Sequence, residues 1–202
     1  GHAIILAQRG YAVHGVDFSK EMLDRAKQKS EASPAKSLLS WSEADISCFK
    51  SSKKFDQVIC MFAVISYLTT NEQLKNFFKV VRDHLVPGGL FICDFWYGPA
   101  VLLDPPGEGE KELVTDKGIA KKSASAEIDY NRHVVRVDYR LSSADNNDPI
   151  VCESHFMRYL FLPELELLAE SADLKFEHAC KCCNLKEAPS QQTWTVSAIF
   201  KG

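Results

Sequence analysis

An acidic residue at the end of a predicted strand is the first feature of the sequence that could do chemistry. Residues 11–16 form a short β-prone run that Asp17 closes, and Ser19 can cap the helix that follows directly. A carboxylate at the tip of a parallel strand, just before a helix, is well placed to accept hydrogen bonds from two ribose hydroxyls. An aspartate in a solvated turn would give the same pattern, so both interpretations stay open for Asp17 alone.

A cysteine cluster near the end of the chain is a second chemical candidate. The chain has seven cysteines, three of them in the sequence CKCC at residues 180–183. Cys180 and Cys182 would share one face of a strand, with Cys183 on the other. No second cysteine pair or nearby histidine pair completes a tetrahedral metal site. We therefore expect reduced structural thiols, no metal centre and a cytoplasmic location.

The elements that must position these residues follow an α/β pattern. The continuous apolar runs at residues 55–62 and 90–95 predict two strands buried on both faces of a parallel sheet. Asn71 is predicted to cap the helix between them, whose buried stripe is Leu74, Phe77, Phe78, Val81 and Leu85. The pattern predicts an α/β fold with a doubly wound sheet.

The second half of the chain changes character. Residues 98–118, rich in glycine and proline, are predicted to form a loop, and residues 124–161 contain three β-prone stretches with a turn at 144–149. These stretches predict a small inserted antiparallel sheet. Two final strands, near 174–183 and 193–200, predict that the main sheet ends in an antiparallel hairpin.

Four segments, in this order, resemble class I S-adenosylmethionine-dependent methyltransferases. They are GHAIILAQRGYAVHGVDFSKEML at the start, EADI at 43–46, FDQVICMFAVISYL at 55–68 and LVPGGLFICDFW at 85–96. The resemblance implies a Rossmann-like fold, S-adenosylmethionine as cofactor and S-adenosylhomocysteine as product. In this family a first strand and a glycine-rich loop would precede Gly1, and we expect them upstream of this sequence.

The resemblance also implies the residues that bind the cofactor. Gly1 would end the loop around the methionine part, Asp17 would hold the ribose diol, and Asp45 would accept a hydrogen bond from the adenine amino group. Five apolar residues would surround the cofactor, namely Phe18, Met22 and Ile46 beside the adenine and Met61 and Phe62 beside the methionyl chain. Core packing is the alternative use of the two methionines.

The same resemblance implies how the chain divides into domains. Residues 1–97 and 162–202 would form the cofactor-binding domain, and residues 98–161 an inserted β lid over the acceptor. A subgroup of the family that methylates amines of small molecules carries such an insertion, and CDFWYGPAVL and SHFMRYLF are similar to its sugar-modifying members. The expected reaction is methyl transfer to an amine or hydroxyl.

Five residues are candidates for the acceptor site. Trp96 and Tyr97 follow a strand tip and would contact the acceptor, and Tyr67 follows another strand tip. His155 could act as a base and Arg158 could bind a phosphate or carboxylate of the acceptor. An ordinary strand histidine and a surface arginine are the alternatives for these last two residues.

Composition limits the remaining function classes. The net charge is −3, so no basic excess indicates nucleic acid, and the apolar run at residues 3–7 is too short for a membrane span. We expect a small-molecule partner, and homodimer formation stays open. An NAD(P)-binding oxidoreductase also places an acid at the second strand's tip, but EADI, the terminal hairpin and the lack of a Tyr-x-x-x-Lys set argue against it. A non-catalytic binding or scaffold module is the other alternative.

Overall fold

The structure is a computed structural model that describes residues 1–115, 118–143 and 149–202. The turn predicted at 144–149 therefore lies, apart from its last residue, outside the described residues. The chain divides into two compact units, Gly1–Ser52 and Lys53–Gly202. Each unit is described by itself.

The first unit contains a parallel pair of strands and two helices. Its elements are α1 (His2–Gln8), β1 (Val13–Asp17), α2 (Lys20–Glu31), a 3₁₀ turn (Lys36–Leu38) and β2 (Leu39–Glu43). In the register of the pair, Asp17 lies opposite Glu43. Ser19 caps α2 as predicted, because its side chain accepts the Met22 N–H at 3.3 Å. The carboxyl ends of both strands thus meet at one edge.

The second unit contains a mixed four-stranded sheet. Its elements are β3 (Phe55–Cys60), α3 (Asn71–His84), β4 (Leu85–Trp96), β9 (Lys175–Lys181) and β10 (Thr195–Lys201), with strand order β3-β4-β10-β9. β3 and β4 are parallel, whereas β10 runs antiparallel to both β4 and β9. The predicted terminal hairpin is present.

Aromatic packing joins α3 to this sheet. Phe77 and Phe78 on the helix contact Phe91 of β4 edge-on, and Phe200 of β10 stacks on Phe91 at 5.5 Å. The helix cap differs from the prediction, because Thr70 rather than Asn71 is the N-cap. Thr70 forms a reciprocal capping box with Gln73, which satisfies two backbone donors at once.

β3 is less buried than its apolar sequence suggested. The prediction of a strand covered on both faces is wrong for Asp56, Gln57 and Ile59, which are exposed. The reason is topological, since β3 is the edge strand of its four-stranded sheet.

An antiparallel sheet occupies the middle of the second unit. It consists of β5 (Gly109–Thr115), β6 (Gly118–Asp129), β7 (Val134–Ser143) and β8 (Pro149–Arg158), paired in chain order. As expected from the alternating sequence of β7, Val135 and Val137 are buried whereas Arg136 and Arg140 are exposed. The predicted division into a cofactor-binding domain and a lid stays a prediction.

The loop predicted for residues 98–118 is largely structured. It contains α4 (Gly98–Leu103), which begins with a proline in its first turn, and β5, whose hydrogen bonds come from β6. Helix α5 (Leu162–Glu170) follows β8. Among the described residues, no helix has the length and apolarity to cross a membrane.

Candidate active site

Two carboxylates lie at the carboxyl ends of the strands in the first unit. Asp17 is half-buried, and its Oδ1 accepts the Ser19 N–H at 2.8 Å. The Asp17 carbonyl accepts the Ala44 N–H at 3.0 Å, which continues the parallel pairing to the residue before Asp45. Asp45 Oδ1 accepts the N–H and the hydroxyl of Ser47, at 2.7 and 2.8 Å. Each carboxylate is thus oriented by the backbone that follows its strand.

Apolar side chains accompany these carboxylates on the same unit. Phe18 is 79% exposed and Met22 53% exposed, whereas Ile46 is half-buried. Exposed large apolar side chains beside polar groups are typical of a binding surface. Because Met22 is largely exposed, core packing does not explain its presence at this position. Gly1 precedes α1, and its carbonyl accepts the Ile4 N–H at 3.2 Å.

In the second unit, the segment after β3 turns sharply. Phe62 and Ala63 have φ values of 67° and 53°, the left-handed region that residues with a side chain seldom adopt. The Ala63 N–H donates to Asp94 Oδ1 at 2.7 Å, and this carboxylate is only 4% exposed. The turn leaves Phe62 77% exposed and Met61 half-buried. Sequence analysis missed Asp94, although an acid inside the apolar strand LFICDF was a signal for it.

Tyr67 and His155, 88 positions apart, are in contact. The Tyr67 hydroxyl lies 3.0 Å from His155 Nδ1, and His155 Nε2 lies 3.5 Å from a carboxylate oxygen of Glu153. Burial, followed by the nearby Tyr139 and Glu153, raises the pKa of Tyr67. The phenol therefore keeps its proton near neutral pH. Glu153 was not predicted, but its position two residues before His155 on one strand places both side chains on the same face.

A cavity of about 440 Å³ opens beside this group. Its lining includes Tyr67, His155, Ser154, Phe156 and Arg132. Arg132 is exposed and was missed by the sequence analysis, because it lies in the turn between β6 and β7 where no periodicity marks it. The cavity combines an apolar ring, a cation and the paired Tyr67 and His155.

Arg158 lies away from solvent in an ion pair. It is 8% exposed, and its guanidinium contacts Glu164 at the start of α5 and donates to the Thr69 carbonyl at 3.4 Å. One Arg158 nitrogen, Nε, and one Glu164 oxygen, Oε2, are buried without a hydrogen-bond partner. This arrangement ties β8 to α5 and to the segment that follows Tyr67.

Trp96 and Tyr97 lie at the end of β4. The Trp96 ring meets Trp194 edge-on at 5.5 Å and packs against a cluster formed by α4 and the antiparallel sheet. The Trp96 N–H donates to the buried Ser66 hydroxyl at 3.2 Å, and the Tyr97 N–H to the Trp194 carbonyl at 3.0 Å. Both side chains are half-buried. The structure thus groups these two residues with Trp194, which was not predicted.

Comparisons with known proteins show that this chain is similar to methyltransferases. Residues 1–89 match the family described as Methyltransferase domain. A dTDP-3-amino-3,4,6-trideoxy-alpha-D-glucopyranose N,N-dimethyltransferase of Streptomyces venezuelae is 25% identical over 168 residues, which cover 81% of this chain and 66% of that protein. A second curated relative, the "Putative methyltransferase YqeM" of Bacillus subtilis, is 34% identical over 92 residues. These residues make up 46% of this chain and 36% of that protein.

Solved structures show the same fold. The CcbJ methyltransferase of Streptomyces caelestis superposes with a TM-score of 0.84 at 20% identity, covering 99% of this chain and 78% of that one. A SAM-bound amino pentose methyltransferase of Micromonospora echinaspora gives a TM-score of 0.71 at 15% identity, covering 94% and 73%. The chain therefore has the fold of these S-adenosylmethionine-dependent methyltransferases, and its first 89 residues are similar to the family described as Methyltransferase domain.

Proposed function

We propose that this protein transfers a methyl group from S-adenosylmethionine to an amine of a small molecule. The observation that carries the proposal is the contact of Tyr67 with His155 in the wall of a cavity of about 440 Å³. An amine reaches the enzyme as an ammonium and must lose a proton before its lone pair can react. A tyrosine and a histidine in hydrogen-bond contact can remove that proton.

The first unit fits the adenosine part of the cofactor. Asp17 is oriented at a strand tip, where a carboxylate can accept both ribose hydroxyls. Asp45 is proposed to accept from the adenine amino group, and the exposed side chains of Phe18 and Met22, with Ile46, to pack on the ring. When bound, S-adenosylmethionine would supply a methyl group on a positively charged sulfur, with neutral S-adenosylhomocysteine as the leaving group. Gly1, Met61 and Phe62 are proposed to contact the methionine part, as the resemblance implies.

The proton would move along three side chains. Tyr67 receives the amine proton on its oxygen while its own proton passes to His155 Nδ1 at 3.0 Å. Glu153, 3.5 Å from His155 Nε2, then stabilises the imidazolium. Arg158 is proposed to hold β8 in place through its ion pair with Glu164 rather than to contact the acceptor.

An amino sugar is the acceptor class that we propose to test first, because it is named for the Streptomyces venezuelae relative. The chain spans 66% of that protein, so the assignment is a proposal for this chain. Arg132 in the cavity wall suits an acceptor that carries an anionic group, and the half-buried rings of Trp96 and Tyr97 are proposed as further contacts.

The seven free cysteines support a proposed cytoplasmic location. Light scattering tests whether the protein forms a homodimer.

The first test separates cofactor binding from chemistry. We expect calorimetry to show binding of S-adenosylhomocysteine and no binding of NAD. With a nucleotide-linked amino sugar as acceptor, His155→Gln and Tyr67→Phe should each lower kcat by about 10²-fold, with unchanged affinity for S-adenosylhomocysteine. Glu153→Gln should lower kcat less than either of these two changes does.

His178→Gln is the matched control, because His178 is a histidine of β9 bonded to the Leu185 carbonyl. It should leave kcat unchanged. Full activity of His155→Gln contradicts the proton relay. Binding of NAD alone supports the oxidoreductase alternative, and binding of neither ligand supports the scaffold alternative.

A further inference from the structure

Two adjacent thiols lie side by side where β9 ends. Cys182 Sγ and Cys183 Sγ are 3.5 Å apart. Consecutive side chains of an extended strand point to opposite faces, which is why the sequence analysis separated these two cysteines. That expectation is wrong, because β9 ends at Lys181 and Cys183 has a left-handed φ of 63°. The turn brings both sulfur atoms to the same side.

The turn is held by the backbone around it. The Cys182 N–H donates to the Thr195 carbonyl at 3.0 Å, and the Asn184 N–H donates to the Lys181 carbonyl at 2.9 Å. A left-handed residue with a side chain is strained and persists only where its surroundings fix it. Strain of this kind, at a pair of touching thiols, favours a role for the pair beyond packing.

One buried carboxylate connects the thiol pair to the turn after β3. Cys182 Sγ lies 3.8 Å from Asp94 Oδ2, within range of an S–H donor, while Asp94 Oδ1 accepts the Ala63 N–H at 2.7 Å. Burial first, and then the hydrogen bond with Cys183, raise the pKa of Cys182 to about 11. Near neutral pH this thiol keeps its proton, and its S–H can donate a hydrogen bond to Asp94.

The two thiols differ in access to reagents. Cys183 is exposed, whereas Cys182 is half-buried. Among the residues that the structure describes, no group of three or more His, Cys, Asp or Glu side chains could hold a metal ion. The pair is therefore better suited to thiol–disulfide exchange, in which an accessible thiol reacts first and a close neighbour resolves the product.

We propose that Cys182 and Cys183 form a dithiol site that reacts with low-molecular-weight disulfides and closes into a Cys182–Cys183 disulfide, which loosens the Phe62–Ala63 turn. The structural part of this inference is independent of the proposed function. Only its expected effect on cofactor affinity rests on that function.

The chemistry proceeds in two exchanges. The Cys183 thiolate attacks one sulfur of the small disulfide, breaks its S–S bond and releases one thiolate. Cys182 loses its proton to solvent and attacks Cys183 Sγ, which releases the second thiolate. Two protein S–H bonds are replaced by one S–S bond, and both electrons and both protons leave with the two released small thiols.

Closure removes a donor from a carboxylate that has little access to water. Asp94 Oδ2 loses the Cys182 S–H, while Asp94 Oδ1 still accepts the Ala63 N–H. A buried charged group that loses a hydrogen-bond partner is destabilised. Opening of the strained Phe62–Ala63 turn would let water bond to this carboxylate, so the turn is expected to open more often in the oxidised protein.

The test uses glutathione disulfide on the reduced full chain. We expect peptide mass spectrometry to show the fragment with residues 182–183 reduced in mass by two hydrogen atoms. Hydrogen exchange of the backbone amides of residues 61–67 should become faster by about tenfold. This is the effect expected when one hydrogen bond to a charged group, here the bond from Cys182 to Asp94, is lost. The affinity for S-adenosylhomocysteine should fall by a similar factor and recover on reduction.

Three variants make the result decisive. Cys183→Ser and Cys182→Ser should each abolish the disulfide and the faster exchange of residues 61–67, whereas Cys152→Ser, which replaces another exposed cysteine, should respond as the unsubstituted protein does. A stable mixed disulfide without closure, or closure that leaves exchange of residues 61–67 unchanged, overturns the inference. Absence of S-adenosylhomocysteine binding in the reduced protein contradicts the proposed function instead, and the mass and exchange data still decide the dithiol site.

Discussion

At the scale of single residues, three carboxylates that are oriented by hydrogen bonds from the backbone organise the candidate site. Asp17 and Asp45 each bond to the backbone that follows their strand, and Asp94 bonds to the turn after β3. A carboxylate that already accepts N–H groups is fixed in orientation before a ligand arrives. Such preorganisation lowers the entropic cost of binding.

Asp17→Ala is expected to weaken binding of S-adenosylhomocysteine by at least about 10- to 100-fold, because even one hydrogen bond to a charged group contributes roughly 1.5–3 kcal/mol. Isothermal titration calorimetry measures the change. Asp24→Ala, an exposed aspartate on α2 with a weak contact to Lys27, is the control and should bind normally. Unchanged affinity in Asp17→Ala removes the basis for the assigned cofactor contact.

At the scale of elements, the connection from β4 to α4 fixes how the antiparallel sheet is attached. The Leu160 N–H donates to the Trp96 carbonyl at 2.9 Å, and the Gly98 N–H donates to the Leu160 carbonyl at 2.9 Å. The ring of Phe161 occupies the space that a side chain at position 98 would need. A side chain at position 98 would therefore have to displace the Phe161 ring, which glycine avoids.

Gly98→Ala should therefore lower the free energy of unfolding by about 1–3 kcal/mol, the usual cost of overpacking a filled site. Urea denaturation measures it. Gly107→Ala is the matched control, since a side chain there meets no atom within 4 Å. Addition of Phe161→Leu to Gly98→Ala should restore part of the loss. Equal stability of the two alanine variants would mean that the close approach is not a constraint.

At the scale of the whole molecule, buried thiols make stability sensitive to alkali. Burial, and next the charge of Asp94, raise the pKa of Cys60 to about 12, and burial raises that of Cys93 well above its usual value. The unfolded chain releases these protons from about pH 9, whereas the folded protein retains them. The stabilisation is complete below pH 9 and is lost as the pH rises towards the folded pKa values.

The free energy of unfolding should fall by about 1.4 kcal/mol per pH unit above pH 9 for Cys60 alone. Denaturation with urea at several pH values between 8 and about 11 measures this slope. Cys60→Ala should have a shallower slope, and Cys48→Ala, which replaces an exposed thiol, should not change it. A slope that is the same in all three proteins contradicts the assignment to Cys60.

The fold was largely accessible from local sequence. Periodicity in α3 and β7, the capping residue Ser19 and the apolar run of β4 predicted these elements, because side-chain spacing within one element decides which face is buried. The predicted fold class and the resemblance to methyltransferases are confirmed by the comparisons. The thiol turn at Cys183 and the helix in residues 98–103 were missed because backbone turns and neighbouring segments override local propensity.

The sequence by itself determined most of the order of the elements and the strand end that carries Asp17, because both follow from neighbouring residues. Only the tertiary structure decided that Tyr67 meets His155, that Arg158 is paired with Glu164, and that Asp94 joins a thiol to a strained turn. These contacts join residues from different elements, mostly far apart in sequence. Their formation depends on how whole elements pack, which no local pattern specifies.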